Sequence, residues 1–413
     1  MARLDKKTFL ALWIFNPFVS AIYVFKNFKQ NTSIYPFLFL SFFFGLSFVV
    51  STTGADSERY AAQLFEYHRQ NMSLFQVIND FYSEEGTKLD IYQPLVTWVV
   101  SLFTDNVKVL FAFFALVFGY FWFKSLLLVR SHIHIPLKGF VLVVFLFLAL
   151  TNPIWKINGV RMWTAVGVFF YGLLVLKLNN DKRGWLYIVL PMFIHFSLVL
   201  AFAVYVLYVL IPFKKKTILF FAVFLFTFFL GELDLDIIRG YFEEAPELLE
   251  KKSSYLNEDY VEKVSEAKEQ IAFHVILARN LAKYSLFFTT ILMYYYYTLY
   301  KSKITDYYFH TIFTIGLFFA SFSNIASNVP AGGRFTVLSN LILLTSFLLL
   351  LNQRIKINRT IKILLSCSLL FVILFRIREG IDFVGPFLFI GNPIVNWFIE
   401  DRPLIDSIKS FLQ

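Results

Sequence analysis

The sequence predicts an all-α polytopic membrane protein, with about 11–13 transmembrane or re-entrant helices, of the C-type glycosyltransferase-like kind. Three observations carry the membrane reading. Of 413 residues 58% are hydrophobic and only 16% charged, and mean hydropathy is +0.64. The apolar residues gather in repeated runs of about 17–25, long enough at 1.5 Å per residue to cross a ~30 Å hydrocarbon layer. Basic residues sit in short loops between those runs, and acidic ones in two longer loops. A soluble globular enzyme is excluded on composition.

The runs lie at residues 8–25, 34–52, 107–129, 139–156, 160–178, 184–212, 217–231, 284–300, 306–326, 335–351 and 361–375. The basic start Met1–Lys7 is followed by no small-residue cleavage site and reads as mature sequence. Residues 8–25 either span, which puts Met1 outside, or re-enter at Asn16-Pro17. Short loops holding Lys26 and Lys29, Arg130 and Lys138, Lys182 and Arg183, Lys214–Lys216, Lys301 and Lys303, and Arg354–Lys362 are cytoplasmic by the positive-inside rule. Residues 184–212, basic at both flanks, then form a helical hairpin broken at Pro191 and His195-Phe196-Ser197, with His195 at its outer tip. Tyr92–Thr104 is too short to cross and reads as re-entrant or interfacial.

Residues 1–413 form one integral membrane domain, with a first extracytoplasmic helical loop at 54–92 and a larger one at 232–283. In the first loop Tyr60, Leu64 and Phe65, then Met72, Phe75 and Ile78, follow helical spacing, and Ser73–Gln76 fits a capping box. In the second, Pro246 separates two helical stretches, and the pattern from Asn257 to Tyr284 runs uninterrupted towards the next span. Of the formal charge of +10, Glu232–Glu269 contributes −7 and Asp56–Asp90 −4, so the remainder carries +21. That surplus is cytoplasmic topology and calls for no nucleic acid. The single Cys367 lies in an apolar run and reads as a small buried hydrophobe; no disulfide, cofactor or metal site is expected.

Ionisable groups beside apolar spans are costly and are therefore functional candidates. Arg161 lies in the first turn of an outward-starting helix, where the dipole favours an anion, so a cation there wants a phosphate or carboxylate beside it. Arg334, after Gly332-Gly333, repeats the arrangement before another helix. Asp56 and Asp90 bracket the first outer loop and, with His195, are candidate bases for a hydroxyl proton. Arg59, Tyr60, Tyr92 and Arg279 stand nearby in sequence or approach the membrane on the large loop, as candidate substrate contacts. Each also has a plain reading as a snorkelling arginine, a helix cap or a satisfied histidine. No Walker-type glycine loop is present, so ATP-driven pumping is not expected.

An ordered set of motifs, Asp56 and Tyr60, Tyr92 and Pro94, Arg161 and Ala165, His195 and Ser197, then Arg334-Phe335, resembles the EpsG-like branch of the Wzy-type polysaccharide polymerases. Two departures stand out: Gln93 rather than Glu precedes Pro94, and Met162-Trp163 replaces a Gln and a small residue after the arginine. The resemblance implies a metal-independent membrane glycosyltransferase on the outer face of a bacterial inner membrane. It would join undecaprenyl-diphosphate-linked repeat units, donor to acceptor, with a chain-length regulator among its partners. Arg161 and Arg334 would hold the diphosphate, and Asp56, Asp90 or His195 would be the base. The alternatives are an O-antigen ligase-type transferase, a lipid-linked oligosaccharide flippase or transporter, and a structural subunit.

Overall fold

Helix length decides which apolar runs become full crossings. The computed structural model describes residues 6–26, 28, 34–50, 56–82, 90–212, 216–230, 271–300, 307–329 and 331–412. Among the described residues about 80% are helical and none is in a strand. Among the described residues six stretches are long and apolar enough to cross a membrane: Val107–Ser131, the composite Gly139–Leu178, Phe273–Leu299, Tyr307–Ala326, Gly332–Asn352 and Arg359–Phe383. Five shorter apolar helices of 10–17 residues accompany them. The protein is an all-α polytopic membrane protein.

The chain divides into two compact units. The first comprises residues 1–132, 152–199 and 376–413. Its helices are α1 (Lys6–Phe15), α2 (Pro17–Lys26), α3 (Tyr35–Leu46), α4 (Asp56–Arg69), α5 (Leu74–Tyr82), α6 (Tyr92–Ser101) and α7 (Val107–Ser131). A 3₁₀ turn (Ile154–Gly159), α9 (Val160–Leu178), α10 (Gly184–Val189) and α11 (Pro191–Ile194) follow α8 (Gly139–Ala149), which belongs to the second unit. The run at 8–25 is interrupted at Asn16, where Pro17 opens α2. Asn106 starts α7 by accepting the Lys108 N–H at 2.9 Å. The capping box is present in both directions: Ser73 N–H donates to Gln76 Oε1 at 2.7 Å, and Gln76 N–H to Ser73 Oγ at 3.3 Å. In α5, Val77 packs inward while Phe75 and Ile78 stay exposed.

Close helix contacts depend on small residues, as expected where lipid competes with protein for apolar surface. A Cβ on Gly45 of α3 would lie 2.4 Å from Ala112 Cα of α7, and one on Gly184 would lie 2.6 Å from the Gly172 carbonyl of α9. A core of Phe44, Phe48, Tyr60, Leu64, Val100, Phe111, Phe114, Ile157, Val160 and Val384 joins α3, α4, α6, α7 and the 3₁₀ turn to the segment after residue 380. That segment is pinned by a Phe48–Val384 bridge, by Asn396 Nδ2 donating to Ser47 Oγ at 2.6 Å, and by Lys108 Nζ donating to the Asn396 carbonyl at 3.0 Å.

The second unit comprises residues 133–151 and 200–375. It holds α8 (Gly139–Ala149), most of α12 (Leu198–Leu210), α13 (Lys216–Phe228), α14 (Phe273–Leu299), α15 (Tyr307–Ala326), α16 (Phe335–Asn352) and most of α17 (Arg359–Gly380). The core helix α16 is buried over nearly its whole length between α8, α14 and α15. Polar bonds tie neighbours: Thr217 of α13 meets His310 Nε2 at 2.9 Å, and Ser285 of α14 meets Ser368 of α17 at 2.6 Å.

Three expectations change. The run 139–156 yields only an 11-residue helix, because the turn at Thr151-Asn152-Pro153 ends it before the 3₁₀ turn. The pattern through Tyr284 is broken at Ala272, which is extended (ψ 142°), so α14 begins at Phe273; residues 231–270, which hold most of the large outer loop, lie outside the described residues. Cys367 is exposed rather than buried, because α17 turns much of its apolar surface away from protein and only 22% of its span is buried.

The Gly45→Leu variant is expected to lower thermal stability by more than about 2 kcal/mol, through overpacking against Ala112. Gly333→Ala, where no atom lies within 4 Å, should stay within about 0.5 kcal/mol of the parent. Equal melting of both variants in detergent would rule out the α3–α7 contact.

Candidate active site

Seven of the nine side chains singled out from sequence belong to the first unit, and six of them share one cluster. Its anchor is Asp90, just before α6, which is only 3% exposed. A buried carboxylate must be compensated on each oxygen. Oδ2 accepts from Arg161 Nη1 at 3.1 Å, and Oδ1 accepts from the Phe196 N–H at 2.7 Å. That N–H is available because the chain breaks between α11 and α12: His195 is extended (φ −149°, ψ 115°), so the backbone after it leaves the helical pattern. A second link, Ile91 N–H to the Phe193 carbonyl at 3.1 Å, clamps the same two segments. The break stands where the sequence reading puts it.

Arg161, at the second position of α9, is held on two sides. Nε donates to Tyr60 Oη at 3.2 Å and Nη1 to Asp90, while Nη2 stands 4.0 Å from Asp56 Oδ1. Its guanidinium also lies 5.9 Å from the centroid of the Tyr60 ring. Carboxylates stand beside this arginine, as expected for a cation at a helix start. Tyr60 is buried, and that burial pushes its phenol up to about 12 against the lowering pull of Arg161. It is therefore a neutral acceptor over the whole physiological range.

Asp56 opens α4 and is about one-third exposed. Its Oδ1 takes the short contact with Arg59, itself 70% exposed, while Oδ2 makes no hydrogen bond with a described residue. Oδ2 faces the bare Cα of Gly159: a Cβ there would lie 3.7 Å from it and 3.3 Å from Trp163 Nε1. The clustered carboxylates thus divide. Asp90 has both oxygens engaged and positions Arg161; Asp56 keeps an accessible oxygen able to take a proton.

His195 Nδ1 accepts from the Ser197 N–H at 3.3 Å and stands 3.8 Å from Asp90 Oδ1. With Nδ1 used as an acceptor, the neutral ring carries its proton on Nε2. Such a ring is a donor towards its surroundings, which favours an orienting or anion-binding role over that of a base. Tyr92 lies apart from the charges, its hydroxyl buried beside Thr164 of α9.

Arg334 and Arg279 belong to the second unit. Arg334 ends a 3₁₀ turn entered through Ala331 in the left-handed region (φ 64°) and makes no ion pair with a described residue. Its two glycines differ in purpose: Gly332 must be glycine because a Cβ would strike the Ala326 carbonyl at 1.8 Å, whereas Gly333 faces open space. Arg279 is exposed on α14. Among the described residues no three His, Cys, Asp or Glu side chains group as metal ligands.

Sequence reading missed Gly159, Trp163 and Lys156. Lys156 Nζ lies 3.9 Å from the centroid of the Trp163 ring. Its position just before an arginine-bearing helix start is the one signal that points to it.

The family model described as the EpsG family matches residues 32–387. No curated protein and no solved structure matches the chain.

Two outcomes follow from the cluster. Asp90→Asn leaves Arg161 without its charge partner and should cost about 1–3 kcal/mol of stability, read as a lowered melting temperature. Tyr60→Phe removes an acceptor worth about 1 kcal/mol. Because the folded phenol titrates near 12 against 10 when free, its stabilising share is complete below pH 10 and lost as pH rises towards 12. Tyr60→Phe should therefore flatten the alkaline fall in stability over that interval, and a parent and variant with identical alkaline melting profiles would contradict the burial of this phenol.

Proposed function

The chain belongs to the EpsG family, and from that premise we propose that it is a glycosyltransferase that lengthens polysaccharide from undecaprenyl-diphosphate-linked repeat units on the outer face of a bacterial inner membrane. The observation that carries this reading is the division of labour between two carboxylates around one arginine. Asp90 fixes Arg161 at the start of α9, and Asp56 presents a free oxygen beside it.

Chain extension needs three things from such a site. The acceptor sugar hydroxyl must lose a proton as its oxygen attacks the anomeric carbon of the donor; Asp56 Oδ2 takes that proton. The bond from the anomeric carbon to the diphosphate oxygen must break, and the diphosphate leaves with the electron pair. The charge that develops there must be met by fixed cations, which act most strongly where water is scarce. Arg161 lies close enough to Asp56 to serve the reacting end, and its three contacts hold it without reorganisation. His195, a donor through Nε2, suits a phosphate or hydroxyl oxygen. Arg59 is a further contact for anionic parts of the substrate; Arg279 and Arg334, on the second unit, remain candidate substrate contacts by themselves, Arg334 making no ion pair with a described residue. Tyr92 supports α6 against α9 from within the core.

In the proposed topology the basic loops stay cytoplasmic, so the starts of α4, α6 and α9 face outward. The prenyl tails of both lipids lie in the bilayer, against the apolar faces that the short helices leave exposed.

Asp56→Asn, purified and reconstituted with lipid-linked repeat units, should reduce glycan lengthening by at least about 10²-fold, the usual share of a general base. Full-rate lengthening by that variant would remove Asp56 as the base. Movement of the lipid-linked oligosaccharide across proteoliposomes without a new glycosidic bond would replace the polymerase by a transporter, and transfer of glycan to a different lipid acceptor would replace it by a ligase.

A further inference from the structure

Trp163 brings an unused donor into the space beside the free oxygen of Asp56. It stands one turn after Gly159, which caps α9, so the two share a helix face. A Cβ on Gly159 would lie 3.3 Å from Nε1 of the indole and 3.7 Å from Asp56 Oδ2, so both atoms border the gap that the missing side chain leaves. An indole N–H can only donate and an ionised carboxylate can only accept. Yet the two are not bonded to each other, and neither Nε1 nor Oδ2 makes a hydrogen bond with a described residue. Nor is either atom sealed in the interior.

The ring itself is held in place. The buried Asn152 donates from Nδ2 to the Trp163 carbonyl at 3.0 Å, and Lys156 Nζ lies over one face, 3.9 Å from the ring centroid. A plain reading makes Trp163 an interfacial anchor whose N–H meets water or headgroups. Two facts count against that as the whole account. Such an anchor stands out from the protein, as the exposed Trp397 does, whereas Trp163 packs against the core of Tyr60, Phe114, Ile157 and Val160. Gly159, moreover, has φ −110°, which calls for no glycine, so what it contributes is the open space next to Nε1.

We infer that Trp163 Nε1 is the hydrogen-bond donor that holds the acceptor sugar while Asp56 takes its proton. This rests on the glycosyltransferase reading. The hydroxyl that gives its proton to Asp56 Oδ2 stands within hydrogen-bond reach of it, and Nε1 borders the same gap, so the indole meets the neighbouring oxygen of that sugar. That oxygen needs a lone pair and no proton of its own. A second hydroxyl or the carbonyl of an N-acyl group serves, whereas a deoxy position leaves the N–H unpaired. The pair therefore selects acceptor sugars with an oxygen acceptor beside the attacking hydroxyl, and it fixes which hydroxyl attacks.

The test uses the full chain in detergent with isotope-labelled indole nitrogens, and compares a lipid-linked repeat unit with undecaprenyl diphosphate that carries no sugar. The Trp163 N–H resonance, identified by its loss in Trp163→Phe, should move when the repeat unit is added and stay in place with the bare diphosphate lipid. In glycan lengthening, Trp163→Phe should raise KM for the repeat unit about tenfold with kcat within about threefold, the share of one hydrogen bond. Trp163→His, whose Nε2–H can take the place of the indole N–H, should return KM to within about threefold of the parent. A resonance that ignores the repeat unit overturns the assignment, as does one that moves with the bare diphosphate, which would make the N–H a phosphate donor. Should Trp163→Phe fail to fold, Trp163→His identifies the resonance and the titration decides alone. If the parent lengthens glycan and Trp163→Phe does so with unchanged KM, the inference falls and the polymerase reading stands. If the repeat unit moves the resonance but nothing is lengthened, the sugar contact stands and that reading falls.

Discussion

A carboxylate that is almost out of reach of water sets the geometry of the first unit. Asp90 is tolerable in that position only because both oxygens are satisfied, one by a guanidinium and the other by a backbone N–H. Each satisfaction commits a different part of the chain. Arg161 must start α9 at the right height, and residues 195–197 must leave the helix so that the Phe196 N–H is free to donate. Tyr60 then has to stand where Nε of the same arginine can reach it, which fixes the rotation of α4. The break between α11 and α12 is a requirement of this buried charge rather than a lapse in the apolar pattern. Removing the carboxylate would leave a helix break and an arginine, each lacking its reason.

How far the sequence disclosed this arrangement depends on the separation over which each interaction acts. Local signals were legible: the Ser73–Gln76 box, the interruption at Asn16-Pro17, the short α6, and the break at His195 all follow from residues within a few positions of one another. Arg161 was conspicuous because charge at the edge of an apolar run is expensive wherever it lands. Its partner was not. Asp90 is 71 residues away, and nothing in spacing distinguishes a carboxylate that will pair from one that will titrate freely; both looked like candidate bases. The same limit applies to Trp155 and Gly380, which lie far apart in sequence and pack together because a bare Cα admits the indole ring. Cys367 shows a different limit: an apolar run tells that a residue avoids water, but not whether protein or lipid does the covering. Residues 139–156 show a third, since total apolar length hid the Asn152-Pro153 turn that cuts the helix at Ala149.

Charge neutrality bears on what the Arg161 cluster can do. Around Arg161, the carboxylates of Asp56 and Asp90 balance the guanidinium groups of Arg59 and Arg161. A balanced cluster is nevertheless well suited to proton transfer. The exposed oxygen of Asp56 lies in the field of a fixed guanidinium, and that guanidinium is anchored by a second acid that never has to move. The bare Cα of Gly159 keeps the space beside that oxygen open: a side chain at that position would crowd both Trp163 Nε1 and Asp56 Oδ2, where the proposed reaction needs an acceptor hydroxyl to approach.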